Sequence, residues 1–462
     1  MLGQSMMLPS RQRDLAIRPG SSWRMLADTI TVGGWTAAVK AAGALKVILA
    51  ARMFGAGDAM DAYLIAFLLP TFFIDVLGGP IDAALIPTLI EQRTQGQKAA
   101  AVRLCQSMLA SVGVFFSLAA IVSVAGSGWF LPLLASSFTL PKLASTQWLL
   151  LIMIAVVPLT GFSATWRAVL NSEHRFAYAA AVPLATPLLS ILAIVVAGRQ
   201  YGVTALAVGT VAGGAIEAAA AGLGAKLAGY SVAPRFAGMT AALRQVAGQY
   251  APLTAVAVVM TGSTIIDQAM AARLGSGSVA ALSYGTRLLG VLIVVGPTAM
   301  ATAVLPHISR RVVEEPAAVR KTLVNYSLFV FAIVLPVTVA LMHWSLPIIR
   351  VLFQDGAFSE SATRLVASVQ SASLLQLPLA VLLALEIRLT SALRKSELLY
   401  RLAGLSLVLT FAFDALFMRW LGVVGIAFAG AAIRLVSTLY LSCKIATLEP
   451  ASTRIPTADR VI

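Results

Sequence analysis

Long apolar blocks alternate with short polar connections along almost the whole chain. A helix needs about 20 mostly apolar residues to cross a bilayer, so each block of that length predicts a membrane-spanning helix. The predicted spans lie near residues 28–51, 60–90, 104–133, 147–166, 177–197, 202–225, 246–271, 278–306, 322–349, 361–387, 402–418 and 421–443. The pattern predicts an all-α integral membrane protein with about twelve transmembrane helices.

The second block, residues 60–90, is too long for one straight span. It contains the segment LGGP at 77–80, and glycine and proline interrupt helices even within membranes. We therefore expect a kink or a break at this segment.

Composition agrees with a membrane protein, because 59% of the 462 residues are hydrophobic and only 11% are charged. Soluble domains carry about 25% charged residues. The connections between blocks are short, so no soluble domain is expected between spans. The basic N-terminal tail has no short apolar segment followed by a cleavage site, and no removable signal peptide is expected.

Lysine and arginine are distributed unequally between the two sides of the predicted bundle. The two tails and the even-numbered loops hold 23 of the 34 basic residues, Arg167 among them, and the opposite side holds 6. Cytoplasmic loops are enriched in basic residues, so both termini are predicted to be cytoplasmic. This asymmetry accounts for most of the net charge of +15, and no nucleic-acid binding is expected.

The remaining five basic residues, Lys40, Lys46, Arg287, Arg364 and Arg434, fall within predicted spans. Charges inside a membrane usually face a cavity or a partner. Arg364 and Arg434 lie near span ends, where a long side chain can reach the interface by snorkelling. Lys40 lies about 18 Å along its helix and cannot easily reach water. Lys46 is closer to the far interface, and both interpretations stay open for it.

Lys40, Gly43 and Lys46 follow one another in steps of about 60° around a helix, so they share one sector with glycine at its centre. Two cations beside a patch without a side chain suggest a pocket for an anion. The alternative is that the lysines pair structurally with Asp75 or Asp82.

Two short segments recur along the chain at a nearly constant offset. ARMFGAGDAMDA at 51–62 resembles ARLGSGSVAALS at 272–283, and ALIP at 84–87 resembles AVLP at 303–306. The offsets of 221 and 219 residues equal six spans, so the halves share one orientation. Two six-helix lobes related by a pseudo-two-fold axis along the membrane normal, around a central cavity, form a common transporter architecture.

The repeat divides the chain into four predicted regions. These are a cytoplasmic tail at 1–24, an N-terminal lobe at 25–230, a C-terminal lobe at 231–443 and a second tail at 444–462. Arg287 falls in the second span of the second copy, where it can face the same cavity as the lysines.

Signals of catalysis are scarce. The three histidines and two cysteines are scattered, so no zinc or thiol site is expected. The chain has no glycine-rich phosphate loop of the kind that hydrolyses ATP. Membrane glycosyltransferases that use lipid-linked sugars often hold acidic residues in the first external loop, where Asp58 and Asp61 lie. The short external loops disfavour that enzyme class, and we expect no catalytic residues.

Five segments together resemble the MurJ/MviN lipid II flippase family of the multidrug/oligosaccharidyl-lipid/polysaccharide exporter superfamily. The segments are ARMFGAGDAMDAYLIAFLLP (51–70), LNSEHRF (170–176), GSGSVAALSYGTRLL (275–289), VLPHISR (304–310) and LFQDGAF (352–358). The resemblance implies an inner-membrane transporter that moves an undecaprenyl-pyrophosphate-linked saccharide by alternating access. It also implies a substrate partner within the lipid bilayer, and we expect the protein to act as a monomer.

The resemblance also implies roles for individual residues. The family's pyrophosphate-binding cations match Lys40, Lys46 and Arg287, and its acidic residue after FGAG matches Asp61. Gly43, Asp61 and Asp75 are expected to line or gate the cavity.

The chain also departs from the family pattern. Further cations of the second span correspond to Ile74 and Asp75, and an acidic position corresponds to Gly79. Many relatives have fourteen spans, whereas about twelve are predicted here. The substrate is therefore lipid II or another polyprenyl-linked repeat unit, such as one for an exopolysaccharide. A cation-coupled multidrug exporter is the second interpretation, although it would favour an acidic cavity, and a non-transporting scaffold is the third.

Two carboxylates and a hydroxyl in the C-terminal lobe suggest a coupling ion. Asp267 and Asp414 lie within spans seven and eleven, and Thr410 precedes Asp414 by one helical turn. Some relatives bind sodium at positions that roughly match, so these residues are a candidate sodium site. The alternative is a protonated or paired carboxylate without an ion. No other cofactor is expected.

Overall fold

The computed structural model describes residues 19–293, 319–392 and 395–446, and within these ranges the chain is helical and has no strand. In the first part the helices are α1 (Pro19–Phe54), α2 (Asp58–Phe73), α3 (Gly79–Thr94), α4 (Lys98–Leu134), α5 (Leu140–Met153), α6 (Val156–Ser172), α7 (Phe176–Ala181), α8 (Ala185–Tyr201) and α9 (Val203–Leu227). They continue with α10 (Ala241–Ala272), α11 (Ser278–Gly285), α12 (Val319–His343), α13 (Ser345–Phe353), α14 (Glu360–Leu374), α15 (Gln376–Ala392), α16 (Ser396–Leu421) and α17 (Val423–Ala446).

Each of the twelve predicted spans corresponds to one of these helices or to two consecutive ones. Among the described residues, nine helices are long and apolar enough to cross a membrane, and the bent pair α12–α13 makes a tenth. The other two predicted spans are α1, which carries Lys40 and Lys46, and the shorter apolar helix Ser278–Ile293. Residues 294–318, which include AVLP and VLPHISR at 303–310, lie outside the described residues. The predicted all-α fold with about twelve spans is confirmed.

The second span contains the predicted break. Helices α2 and α3 are separated by a π-helix at Ile74–Gly78, which ends at the LGGP segment. The hydroxyl of Tyr250 on α10 donates a hydrogen bond to the carbonyl oxygen of Leu77 (2.6 Å). A neighbouring helix therefore satisfies a backbone group at the irregularity, as a membrane interior requires.

Small residues allow the helices to pack closely. On α9, a Cβ added at Gly209 would lie 2.5 Å from the Cβ of Ala193, and one at Gly213 would lie 2.5 Å from the Cα of Thr186. Lipid tails are as apolar as helix surfaces, so association in a membrane depends on such close contact. These glycines explain why α8 and α9 form an extensive interface.

The helices fall into an N-terminal lobe, α1–α9, and a C-terminal lobe, α10–α17. The non-helical connection between α9 and α10, residues 228–240, includes the predicted division between 230 and 231. The exact lobe boundaries stay a prediction. Residues 1–18 and 447–462, which make up most of the predicted tails, lie outside the described residues.

Candidate functional site

The two repeated loops meet where the lobes join. Asp61, near the start of α2, accepts hydrogen bonds from the backbone N–H groups of Gly277 (2.7 Å) and Ala280 (2.9 Å) at the start of α11. A carboxylate is favourable there because unpaired N–H groups and the helix dipole concentrate positive charge at a helix N-terminus. Asp61, which is 1% exposed, thus links the N-terminal lobe to the C-terminal lobe.

Lys142 completes this contact. Its ammonium lies 3.0 Å from the Asp61 carboxylate and 2.6 Å from that of Asp58. The same ammonium lies 3.9 Å from the centre of the Phe138 ring, a cation–π contact. Asp61 is therefore held by one cation and two backbone donors in a buried position.

Arg52 makes a second connection between the lobes. Its guanidinium donates hydrogen bonds to the carbonyl oxygens of Val351 (2.9 Å) and Leu352 (3.0 Å) and lies 3.6 Å from the Asp355 carboxylate. The Arg52 carbonyl in turn accepts a hydrogen bond from the N–H of Ala357 (2.8 Å). The segment LFQDGAF at 352–358 is thus fastened to the end of α1.

Three glycines with positive φ make these contacts sterically feasible. A Cβ added at Gly55, Gly277 or Gly356 would lie 2.5–2.6 Å from a backbone carbonyl oxygen, that of Ala357, Ala56 or Arg52 respectively. A side chain at any of the three would force the segments apart. We call this whole contact region, residues 51–62, 137–142, 272–284 and 351–358, the latched end.

Two of the predicted cations, one from each lobe, lie within electrostatic range of each other. They are Lys46 on α1 and Arg287, which follows α11, and the two cations repel one another. Arg287 is surrounded by protein yet keeps an exposed side chain, as expected for a residue that lines a cavity. A Cβ added at Gly43 would meet no atom within 4 Å, so the predicted glycine patch faces open space.

Lys40 lies in a different setting. It lines a cavity of about 340 Å³ together with Asp82, Arg167 and Asn171, and every residue that lines this cavity belongs to the N-terminal lobe. The prediction that Lys40, Lys46 and Arg287 share one anion pocket stays a prediction, and Lys40 has neighbours of its own.

The proposed structural partners of the lysines are not paired with them. Among the described residues, neither Asp75 nor Asp82 lies within 4 Å of a lysine or arginine nitrogen. Asp75 is an exposed residue of the π-helix. The cationic groups of this region therefore keep hydrogen-bonding capacity for a ligand.

The structure brings Asp267 on α10 and Asp414 on α16 within hydrogen-bonding reach of each other. Asp414 is 0% exposed, and neither of its carboxylate oxygens receives a hydrogen bond from a protein donor. The hydroxyl of Thr410 lies one turn away and donates to the carbonyl oxygen of Ser406 (2.8 Å). Within the described ranges no third acidic, histidine or cysteine ligand joins the pair. These oxygens have the chemistry that a small hard cation prefers, and the orphaned Asp414 carboxylate leaves bonding capacity for one.

Arg434 contradicts the snorkelling prediction. It lies about 17 Å from the start of α17, near the middle of the helix. Its Nε donates to Oε1 of Gln376 (2.9 Å), and Asp267 attracts its charge. Arg364, by contrast, is exposed at the start of α14 and pairs with Glu360 (2.7 Å).

Sequence reasoning missed three functional candidates: Lys142, Arg167 and Arg434. Lys142 is one of only six basic residues on its predicted side, and that rarity was the signal. Arg167 was assigned to a loop because the apolar block ends at residue 166, whereas α6 continues to Ser172. Arg434 was assigned to a span end, although it lies near the middle of the predicted block 421–443, and that depth was the signal.

Comparisons with known proteins agree with this arrangement. A sequence model of the family "Lipid II flippase MurJ" matches residues 50–449. A Rhizobium tropici protein named probable lipid II flippase MurJ is 28% identical over 371 residues, which are 77% of this chain and 68% of the relative.

Two solved structures share the fold. A lipid II flippase MurJ in an inward closed conformation has a TM-score of 0.75 at 19% identity and covers 91% of this chain and 88% of its own. An inward-facing multidrug resistance transporter of the MATE family has a TM-score of 0.68 at 13% identity, with coverages of 89% and 95%. The matched region includes the latched end and both carboxylates of the Asp267–Asp414 pair, and the chain belongs to the lipid II flippase MurJ family.

Proposed function

We propose that this multi-pass bacterial membrane protein moves a polyprenyl-pyrophosphate-linked saccharide, lipid II in the first instance, across the inner membrane. The family and the relative named as a lipid II flippase support this substrate class. The structural observation that carries the proposal is the pair Lys46–Arg287, one cation from each lobe, which lie within electrostatic range of each other.

Electrostatics explains why such a pair suits a diphosphate. Two unit charges about 4 Å apart attract by about 4 kcal/mol at an effective dielectric of 20, before desolvation is subtracted. Two like charges side by side in a protein interior repel, and a bound diphosphate relieves that repulsion. A lysine lacks the bidentate geometry of arginine but retains the charge.

The latched end gives the proposed transport cycle its closed gate. The distribution of basic residues supports cytoplasmic termini, and with that orientation the latched end would face outward and the described conformation would be closed to the outside. Release of the Asp61 and Arg52 contacts would let the lobes separate there, and the diphosphate would then be exposed to the opposite side. The same substrate cations serve both conformations because they belong to different lobes.

The carboxylate pair is the proposed coupling site. Sodium, when bound, would supply a positive charge to Asp267, Asp414 and Thr410 in the C-terminal lobe. A ligand shifts a conformational equilibrium only through its different affinity for the two states. Asp267 and Asp414 lie on different helices, α10 and α16, so their approach is sensitive to rearrangement of the lobe.

The multidrug exporter and the glycosyltransferase fit the geometry less well. A multidrug exporter for cationic compounds would require an acidic cavity, whereas Lys46 and Arg287 make this one basic. A glycosyltransferase would need free acidic groups in the first loop, whereas Asp58 and Asp61 are both paired with Lys142. We expect transport without a chemical step on the substrate.

Native mass spectrometry of the purified protein with its lipids retained tests the substrate directly. We expect a co-purified polyprenyl diphosphate that carries a saccharide, together with rescue of cells depleted of their own lipid II flippase. Absence of such a lipid combined with failure to rescue would contradict the proposed function. A lipid-linked saccharide without a peptide would assign the protein to a related repeat unit.

A further inference from the structure

The cavity beside Lys40 is separate from the Lys46–Arg287 pair. It has a volume of about 340 Å³ and lies between α1, α3, α6 and α7. Its polar wall consists of Thr36, Lys40, Asp82, Arg167 and Asn171, and the remaining wall is apolar. A concave site with a few convergent polar groups is typical of a ligand-binding pocket.

Two buried polar atoms of this wall have no hydrogen-bond partner in the protein. They are the Oδ1 atom of Asp82 and the Nε atom of Arg167. The two side chains attract each other, but no ion pair within 4 Å joins them. Lys40 is exposed into the cavity, and within the described residues no ion pair involves it. Buried polar atoms are nearly always paired in folded proteins, so this set points to an absent partner.

The position of the cavity relates it to the diphosphate site. Lys40 and Lys46 are six residues apart on α1, which is about 9 Å along the axis and about 120° around it. Neither Lys46 nor Arg287 lines the Lys40 cavity. The group in the Lys40 cavity must therefore be a different part of the same molecule or a different molecule.

The chemistry of the wall selects among such groups. Two cations and one carboxylate suit a ligand that carries an anionic group together with hydroxyl, amide or amine donors. A polyprenyl chain has no polar atoms to offer, and a cationic compound would be repelled by Lys40 and Arg167. Given the proposed function, we infer that this cavity is a subsite for the polar head of the lipid-linked substrate, where a carboxylate or similar anion of the head meets Lys40 and Arg167 and a donor meets Asp82.

A binding experiment with two lipids separates this subsite from the diphosphate site. Dissociation constants are measured for undecaprenyl diphosphate without a head and for lipid II, with the parent and the variants Lys40→Gln, Asp82→Asn and Arg167→Gln. We expect each variant to weaken lipid II binding by about tenfold, the loss of one charge-assisted hydrogen bond, and to change binding of the bare diphosphate by less than about twofold. Arg103→Gln is the matched control, because Arg103 is an exposed arginine on α4 that does not line the cavity.

Several outcomes would overturn the inference. Equal losses for both lipids would place Lys40 and Arg167 at the diphosphate, and unchanged binding of both would leave the cavity without a role in the substrate. Displacement of lipid II from the parent by phosphatidylglycerol vesicles, abolished in the three variants, would assign the cavity to a phospholipid headgroup instead. A parent that binds neither lipid would overturn the proposed function itself. Thermal unfolding of each variant confirms that it is folded, and Lys40→Gln alters an exposed side chain only.

Discussion

Charged side chains within the predicted spans are arranged differently in the two lobes. In the N-terminal lobe, Lys40, Asp82 and Arg167 surround a cavity and leave buried polar atoms unpaired. In the C-terminal lobe, Asp267 lies against Asp414 and attracts Arg434, whose guanidinium is fixed by Gln376. Open space separates the charges of the first lobe, whereas helix packing brings those of the second together.

This difference suggests that the two sets of charges have different roles. Charges around open space can bind and release a large substrate without repacking the helices. Charges packed between helices respond to a small ion and can change how those helices approach one another. The hydrogen bonds from Gly277 and Ala280 to Asp61 connect the two lobes, and Lys46 and Arg287 are the cations through which both lobes are proposed to bind the substrate. Four predictions test this comparison.

The largest effect is expected where the lobes are joined. Asp61→Ala removes the acceptor for two backbone N–H groups and the buried partner of Lys142, and breaking a buried ion pair is worth about 3–5 kcal/mol. We expect the latched end to open and transport to be lost. A cysteine at buried position Ala281 should then react with an impermeant reagent added outside cells.

Asp58→Ala is the control for this variant, because the Asp58 side chain is 66% exposed. An exposed ion pair contributes about 0–1 kcal/mol, so the latch should persist. Equal labelling of position 281 in the parent and in the Asp61→Ala variant would show that the contact does not hold the lobes together.

The second prediction tests whether the diphosphate site is shared by both lobes. Lys46→Ala and Arg287→Ala should each weaken binding of undecaprenyl diphosphate about 10- to 100-fold, because each removes one charge from the same group. Lys46→Arg should bind within a few-fold of the parent. Arg364→Ala serves as the control, since Arg364 is exposed and paired with Glu360. A loss confined to one lobe's variant would contradict a shared site.

The third prediction concerns the packed charges of the C-terminal lobe. Sodium should raise the unfolding temperature of the parent by a few degrees through preferential binding to the folded state. The increment should vanish in the double variant Asp267→Asn/Asp414→Asn. It should grow in Arg434→Gln, because removal of a nearby positive charge strengthens cation binding.

Potassium chloride at equal ionic strength is the control for this measurement. An equal sodium effect in the parent and the double variant would remove sodium from the site. Absence of any effect would leave protons or the membrane potential as the driving force.

The smallest functional change is expected from the variants that report orientation. Asp58→Cys and Asp355→Cys alter side chains that are 66% and 70% exposed at the latched end, so transport should be nearly unchanged. An impermeant maleimide should label both positions from outside intact cells. The native Cys443 is exposed near the C-terminal end of α17, on the predicted cytoplasmic side. It should therefore react only after permeabilisation. Protection of positions 58 and 355 would reverse the proposed topology.

The sequence determined the features that depend on local composition. The twelve apolar blocks predict the spans because a helix in lipid must satisfy its backbone groups internally and cover itself with apolar side chains. LGGP predicted a kink or a break in the second span, and the structure has a π-helical turn there, since glycine and proline alter the backbone at their own positions. The repeated segments predicted that loops 51–62 and 272–283 occupy equivalent places, and the resemblance indicated the family.

Tertiary structure alone decided which charges meet. Nothing local to Asp61 indicates that it caps α11, because its donors are 216 and 219 residues away. Arg434 could be assigned to Asp267 and Gln376 only once three helices were packed, and Arg167 to the Lys40 cavity only once α6 was seen to continue past its apolar block. Hydrophobic patterning specifies a helix and its depth from neighbouring residues. The partner of a buried charge is set by how distant helices rotate and pack, and that information lies in no single segment of the chain.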